Sequence, residues 1–141
     1  MSLSVEIRPI HSSDIDLYWS EVAPLLQKAV DLEHGCYTID HIYQYLKSGE
    51  KSLFIVLAGN ELKAAITTRI EEYPTGLRVC VIDYAGGEGF QKYWENFTNY
   101  IEPLYKSLNC AMITIAGRKG WERLHTDKGY KFIYQVVGKV L

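Results

Sequence analysis

The sequence predicts an α/β (α+β) fold. It reads as a single domain over residues 1–141, with a mixed, mostly antiparallel sheet, a parallel strand pair at its centre and helices on both faces. Three observations carry this. First, apolar segments at 52–58, 62–70 and 77–84 are separated by Gly59-Asn60-Glu61 and by a connection containing Pro74, the pattern of an antiparallel meander. Second, the apolar runs 77–84 and 111–116 flank one long amphipathic segment, which reads as a strand-helix-strand crossover with parallel strands. Third, Gly86-Gly87-Glu88-Gly89 ends one of those strands and opens the helix, the arrangement at which α/β proteins tend to hold anionic ligands.

Composition excludes several classes of function. A chain of 141 residues is enough for one core, and 48% hydrophobic with 23% charged residues is ordinary for a globular protein. The formal net charge of -2, without a Lys/Arg cluster, predicts neither nucleic acid nor a membrane surface as partner. No apolar run is long enough to span a bilayer, and the first residues lack a signal-peptide pattern. Cys36, Cys80 and Cys110 form no C-x-x-C; an odd count of this kind predicts free thiols, a reducing compartment and a cytoplasmic location. Cys80 and Cys110 lie in or beside apolar strands and read as small buried hydrophobes. The histidines at 11, 34, 41 and 125 stand at no zinc-ligand spacing, so no metal site is expected.

In chain order, Val5 to Ile10 alternates as a strand. Ser13 with Asp16 three residues on suggests a helix start, and Ile15, Tyr18, Val22, Leu25, Leu26 and Ala29 recur at helical spacing. Pro24 inside that pattern predicts a kink or a split. Thr38 can cap a second helix whose stripe is Ile39, Ile42, Tyr43 and Leu46, closed by Gly49. In the third meander segment's neighbour, Leu62, Ala64, Ile66, Thr68 and Ile70 are expected on one face. The run Val79-Cys80-Val81-Ile82, apolar on both faces, belongs at a sheet centre. In the long helix, Phe90, Trp94, Phe97, Ile101, Leu104 and Leu108 form the stripe, with a bend expected at Pro103 and a stop at Asn109. A short helix carrying Trp121 and Leu124 follows, and residues 130–141 alternate as a final strand or hairpin arm.

This order of elements is similar to the GNAT (GCN5-related N-acetyltransferase) fold over essentially the whole chain. Three stretches carry the resemblance: Ile7-Arg8-Pro9 with the capped Asp14-Ile15-Asp16 helix start, Tyr84-Ala85-Gly86-Gly87-Glu88-Gly89, and the segment from Arg118 to Tyr130. The second resembles the acyl-CoA pyrophosphate loop Q/R-x-x-G-x-G/A, and the third the family's last helix, ending in Leu-Tyr-x-x-x-Gly-Phe. Gly117-Arg118-Lys119-Gly120-Trp121 also resembles a divergent group of small GNAT-like proteins from tailed phages and prophages.

The resemblance implies an acyl-CoA-dependent N-acyltransferase using acetyl-CoA and a small-molecule or peptide amine. The loop residues Tyr84, Gly86, Gly87 and Gly89, with Gln91 and Arg118, would bind the cofactor. His125 takes the position of the family's tyrosine general acid, and Glu71 or Asp83 would serve as base. Each has a plainer reading: a tight turn for the glycines, a packed histidine on the Trp121 face, solvated carboxylates for the acids. The pattern also departs from the family's. Tyr84 replaces Gln/Arg, Glu88 puts a negative charge where a diphosphate would lie, and Arg118 stands at the usual asparagine. The alternative is therefore a non-catalytic GNAT-fold binding or assembly protein of phage origin. The exposed faces of the first two helices and the terminal strand are each compatible with a homodimer.

Overall fold

The computed structural model describes residues 4–33, 35–87, 90–115, 129–131, 133 and 136–141. Among them, five strands form one sheet: β1 (Val5–Ile10), β2 (Ser52–Ala58), β3 (Glu61–Glu72), β4 (Arg78–Gly87) and β5 (Met112–Ile115). Their spatial order is the chain order, β1-β2-β3-β4-β5. The first three junctions are antiparallel, and β4 with β5 is parallel. Three α-helices complete the described architecture: α1 (Ile15–Val30), α2 (Ile39–Ser48) and α3 (Phe90–Ser107). The expected meander, crossover and two-sided helical cover are all present.

The sheet is a wall between two apolar cores. On one side, Ile15, Val22 and Leu26 of α1 and Ile42 and Leu46 of α2 pack on Leu53, Ile55 and Ala65. On the other, Trp94, Phe97, Ile101 and Tyr105 of α3 pack on Phe54, Ile66, Cys80 and Ile82. The period of two in the strands separates these sets, and the helical stripes match them. Burying each such side chain is worth roughly 1.5–3 kcal/mol, so both faces contribute to holding the sheet between its helices. The Phe54 and Phe97 rings meet edge to face, 5.8 Å apart.

Local chemistry explains the boundaries. The Thr38 hydroxyl accepts from His41 N–H, and the His41 ring returns to Thr38 N–H, closing a capping box at α2. Gly49 ends that helix at φ 84°, and Asn109 stops the chain beyond α3 at φ 66°. Gly59 and Asn60 both have positive φ, as the tight β2–β3 turn requires. The start of α1 differs from expectation. His11, rather than Ser13, accepts from a backbone N–H and begins a 3₁₀ turn over Ser12–Asp14.

Other details also differ. Helix α1 runs through Pro24 without a split and packs against β3 and β4. In α3 the buried stripe ends on Tyr105, while Leu108 lies past the helix and is exposed. Leu62 packs with the α1/α2 core instead of joining Ala64 and Ile66, because the register shift between Val56 and Leu57 makes Lys63 the extra residue of β3. Residues 136–141 carry no strand, and Val136, Val137 and Val140 are exposed. Strand propensity without a paired ladder does not make a strand.

Candidate functional site

The feature that organises the candidate site is a bulge in β4. Opposite β3, Thr68 faces Ile82 and Thr67 faces Tyr84, so Asp83 is the extra residue. Simple alternation would put Asp83 and Tyr84 on opposite faces. The bulge instead turns both toward the α1/α2 side. Asp83 Oδ1 accepts from Thr67 Oγ1 at 2.5 Å, and Oδ2 pairs with the Lys51 ammonium. Tyr84 is buried in the core built on α1 and α2. Pairing with β5 stops just before this point, running from Val79 opposite Met112 to Ile82 opposite Ile115. From Asp83 onward, the β5 side of β4 has no strand partner among the described residues.

Lys51 is central to this cluster, although it was not singled out in the sequence. Its side chain is 9% exposed and that of Asp83 13%, so the pair is largely removed from water. The ammonium lies 5.6 Å from the ring centroids of both Tyr45 and Tyr84. Arg69 adds a second cation: its Nη1 donates to Glu71 Oε2 at 2.6 Å, and its Nε stands 3.8 Å from Asp83 Oδ2. Glu71 and Asp83, the two candidate bases, are thus brought to one face of the sheet and bridged by one guanidinium. Both carboxylates already hold cations.

Tyr84 contributes a phenol rather than a cation or amide. Burial, and then the Glu33 carboxylate it faces, push its ionisation far above the usual range, so it stays a hydroxyl. Glu33 Oε1 is itself buried without a hydrogen-bond partner.

The glycine turn has a packing reason that sequence could not supply. A Cβ on Gly86 would lie 2.0 Å from the backbone oxygen of Leu25 in α1. One on Gly87 would lie 2.3 Å from the Lys63 oxygen, at a φ of 152° that side chains rarely adopt. Both glycines continue β4 as strand residues, and α3 follows at Phe90. Gln91 lies in the first turn of α3; its side chain falls outside the description, as do Glu88, Gly89, Arg118 and His125. Two of the other histidines serve helix starts, His11 and His41. Among the described residues no cluster of His, Cys, Asp or Glu has metal-binding geometry. No described helix is long and apolar enough to cross a membrane.

No family model and no curated protein sequence matches the chain. Solved structures do. A predicted acetyltransferase from Clostridium acetobutylicum, solved with acetyl-CoA, superposes with a TM-score of 0.70 at 15% identity, covering 97% of this chain and 96% of its own. A GCN5-related N-acetyltransferase from Ralstonia eutropha also gives 0.70 at 15% identity, over 97% and 99%. Glucosamine-6-phosphate N-acetyltransferase from Arabidopsis thaliana gives 0.66 at 13%, over 97% and 98%. Similarity across nearly the full length of each chain establishes the class: this protein has the GNAT fold. Identities this low carry the fold and not the chemistry.

Proposed function

We propose that this chain is an acyl-CoA-dependent N-acyltransferase that transfers an acetyl group to an amine. The observation that supports this best is the Asp83 bulge, which falls where β4 leaves its pairing with β5, three residues before the glycine turn into α3. A bulge at this point leaves strand backbone N–H groups free to face a reacting carbonyl. The helix start fits an anionic cofactor. The first turn of α3 holds no acid, and Lys92 lies within it.

Acyl-CoA, when bound, supplies the activated thioester: the amine forms the C–N bond, the C–S bond breaks, and a thiolate leaves. The chain's own residues divide the remaining work. Backbone N–H groups around Gly87, Gly89 and Gln91, with Arg118, hold the pyrophosphate. Gly86 and Gly87 themselves are required by the backbones of Leu25 and Lys63, so they set the shape of the turn whatever binds there. His125 donates the proton that the thiolate takes up. Glu71 or Asp83 receives the proton that the amine gives up, while Arg69 and Lys51 orient both carboxylates.

The commitment of both carboxylates to cations favours a second reading, a non-catalytic GNAT-fold binding protein. Titration calorimetry with acetyl-CoA separates the two. Micromolar binding, worth roughly 8 kcal/mol, is expected of the enzyme. No heat and no thermal shift at millimolar acetyl-CoA would leave the binding-protein reading standing. In Glu88→Arg, acetyl-CoA binding should tighten; an unchanged affinity would mean that position 88 does not face the diphosphate.

A further inference from the structure

We propose that a cavity at the far end of β4 from the glycine turn binds a small organic carboxylate. The cavity has a volume of about 320 Å³ and opens where β3 ends and β4 begins. That volume is at the lower end of the range for small-molecule sites, roughly 300–1,000 Å³. Arg78 and Gly87 stand at opposite ends of β4, ~30 Å apart at the rise of an extended strand. The cavity therefore lies away from the glycine turn, shares Arg69 with the carboxylate cluster of the candidate site, and carries an inference that does not depend on the acyltransferase reading.

Arg78 identifies the ligand's charge. It lines the cavity, and its Nε is buried without a hydrogen-bond partner. Its Nη1 reaches Glu72 Oε2 only at 3.5 Å, a long contact for a charged pair. A guanidinium N–H removed from water and left without an acceptor is unfavourable, and an acceptor brought by a ligand removes that cost. Turned toward the cavity, the edge formed by Nε and a terminal nitrogen would match the two oxygens of a carboxylate. The other cation in the wall, Arg69, already holds Glu71. Arg78 is thus the guanidinium in this wall with a donor to offer.

The rest of the wall selects among anions. Glu50 and Glu72 also line the cavity, so a doubly charged phosphate would meet two like charges, whereas a monocarboxylate brings only one. Ile70, 38% exposed, and Tyr105 give an apolar surface for a short hydrocarbon group. Ser52 adds a hydroxyl to the lining.

Calorimetry and thermal shift on the full chain test this with isobutyrate and benzoate as probes, and with benzamide and inorganic phosphate as controls. The carboxylates should bind with submillimolar dissociation constants and raise the melting temperature, while the controls do neither. Arg78→Gln should weaken benzoate at least tenfold. Arg78→Lys should weaken it nearly as much, because an ammonium keeps the charge and loses the fork. Ile70→Trp fills the cavity from a partly exposed position and should abolish binding with Arg78 intact. If Arg78→Gln fails to fold, the other two variants carry the test. The proposal is overturned if neither carboxylate binds, if binding survives both Arg78→Lys and Ile70→Trp, or if phosphate binds as tightly as benzoate.

Discussion

Replacing Asp83 by alanine strands the Lys51 ammonium in a site where its side chain is only 9% exposed. Removing one member of a buried ion pair typically costs about 3–5 kcal/mol, because the remaining charge is left desolvated. The Thr67 hydroxyl also loses its acceptor, about 1 kcal/mol. Against this, the Tyr45 and Tyr84 rings at 5.6 Å retain part of the ammonium's stabilisation, roughly 0.5–2 kcal/mol. The net expectation is a loss of about 3 kcal/mol, a large share of the ~5–15 kcal/mol that holds a typical domain together. An unfolding entropy of about 2.1 cal/mol/K per residue converts that loss to a drop of about 10 °C in melting temperature. Lys51→Met should cost less, about 2 kcal/mol, because Arg69 stands 3.8 Å from the abandoned carboxylate. The double replacement Lys51→Met with Asp83→Ala removes both charges and should cost about 2 kcal/mol, well below the ~5 kcal/mol sum of the single replacements. Urea denaturation of the four proteins measures the cycle. A loss below about 1 kcal/mol for Asp83→Ala, or single costs that simply add in the double variant, would refute the buried-pair account.

Three further outcomes are expected. Gly86→Ala must push α1 off β4, since its Cβ would meet the Leu25 oxygen at 2.0 Å. It should cost about 3 kcal/mol or prevent folding, whereas Gly76→Ala, at φ 88° with open space around it, should cost only about 1–2 kcal/mol in thermal melts. The Cys80 thiol is pushed up to about 12 by burial, reinforced by nearby Cys110, so at pH 8 about one molecule in 10⁴ carries its thiolate. A disulfide reagent should therefore label exposed Cys36 at once and Cys80 only on unfolding; rapid native labelling of Cys80 in peptide maps would contradict the packing. Hydrogen bonds from Lys47 and then Tyr43 lower the Asp16 pKa. Its folded value is depressed, so the stability it contributes is full above the unfolded value, about 3.9, and disappears as pH falls through the folded one. An NMR titration midpoint for Asp16 at or above 3.9 would show that the tie between α1 and α2 does not form in solution.

The parts of this fold that could be read from sequence were those with local causes. Gly59-Asn60 marked its turn because both residues adopt positive φ, and Thr38 and Gly49 bounded α2 by capping chemistry. Trp94, Phe97 and Ile101 announced the buried face of α3 by spacing alone. What escaped were consequences of register and of distant neighbours. Nothing in Val81-Ile82-Asp83-Tyr84 signals a bulge, because the extra residue exists only relative to β3. Lys51 is one lysine among many until the sheet sets Asp83 beneath it, 32 positions away in sequence. Arg69 and Glu71 were closer to legible, since residues two apart in a strand share a face and opposite charges there tend to pair. The glycines were noticed for the right position and an incomplete reason: a ligand-binding turn was expected, and the nearest contacts are Leu25 and Lys63.

The identity between strand order in the sheet and strand order in the chain bears on how the protein folds. The β2–β3 and β3–β4 junctions join strands linked by short connections, so these small loops close first, whereas β1 meets β2 across α1 and α2. The parallel junction is different: β5 can dock only after α3 has crossed the sheet. It is then held by four residue pairs on a strand whose middle is only half-buried. The β2–β4 meander should therefore gain protection against amide hydrogen exchange before β5 does. In the native state β5 should be among the first strands to open. The candidate acyltransfer site lies beside that last-formed seam, where local opening costs the chain least.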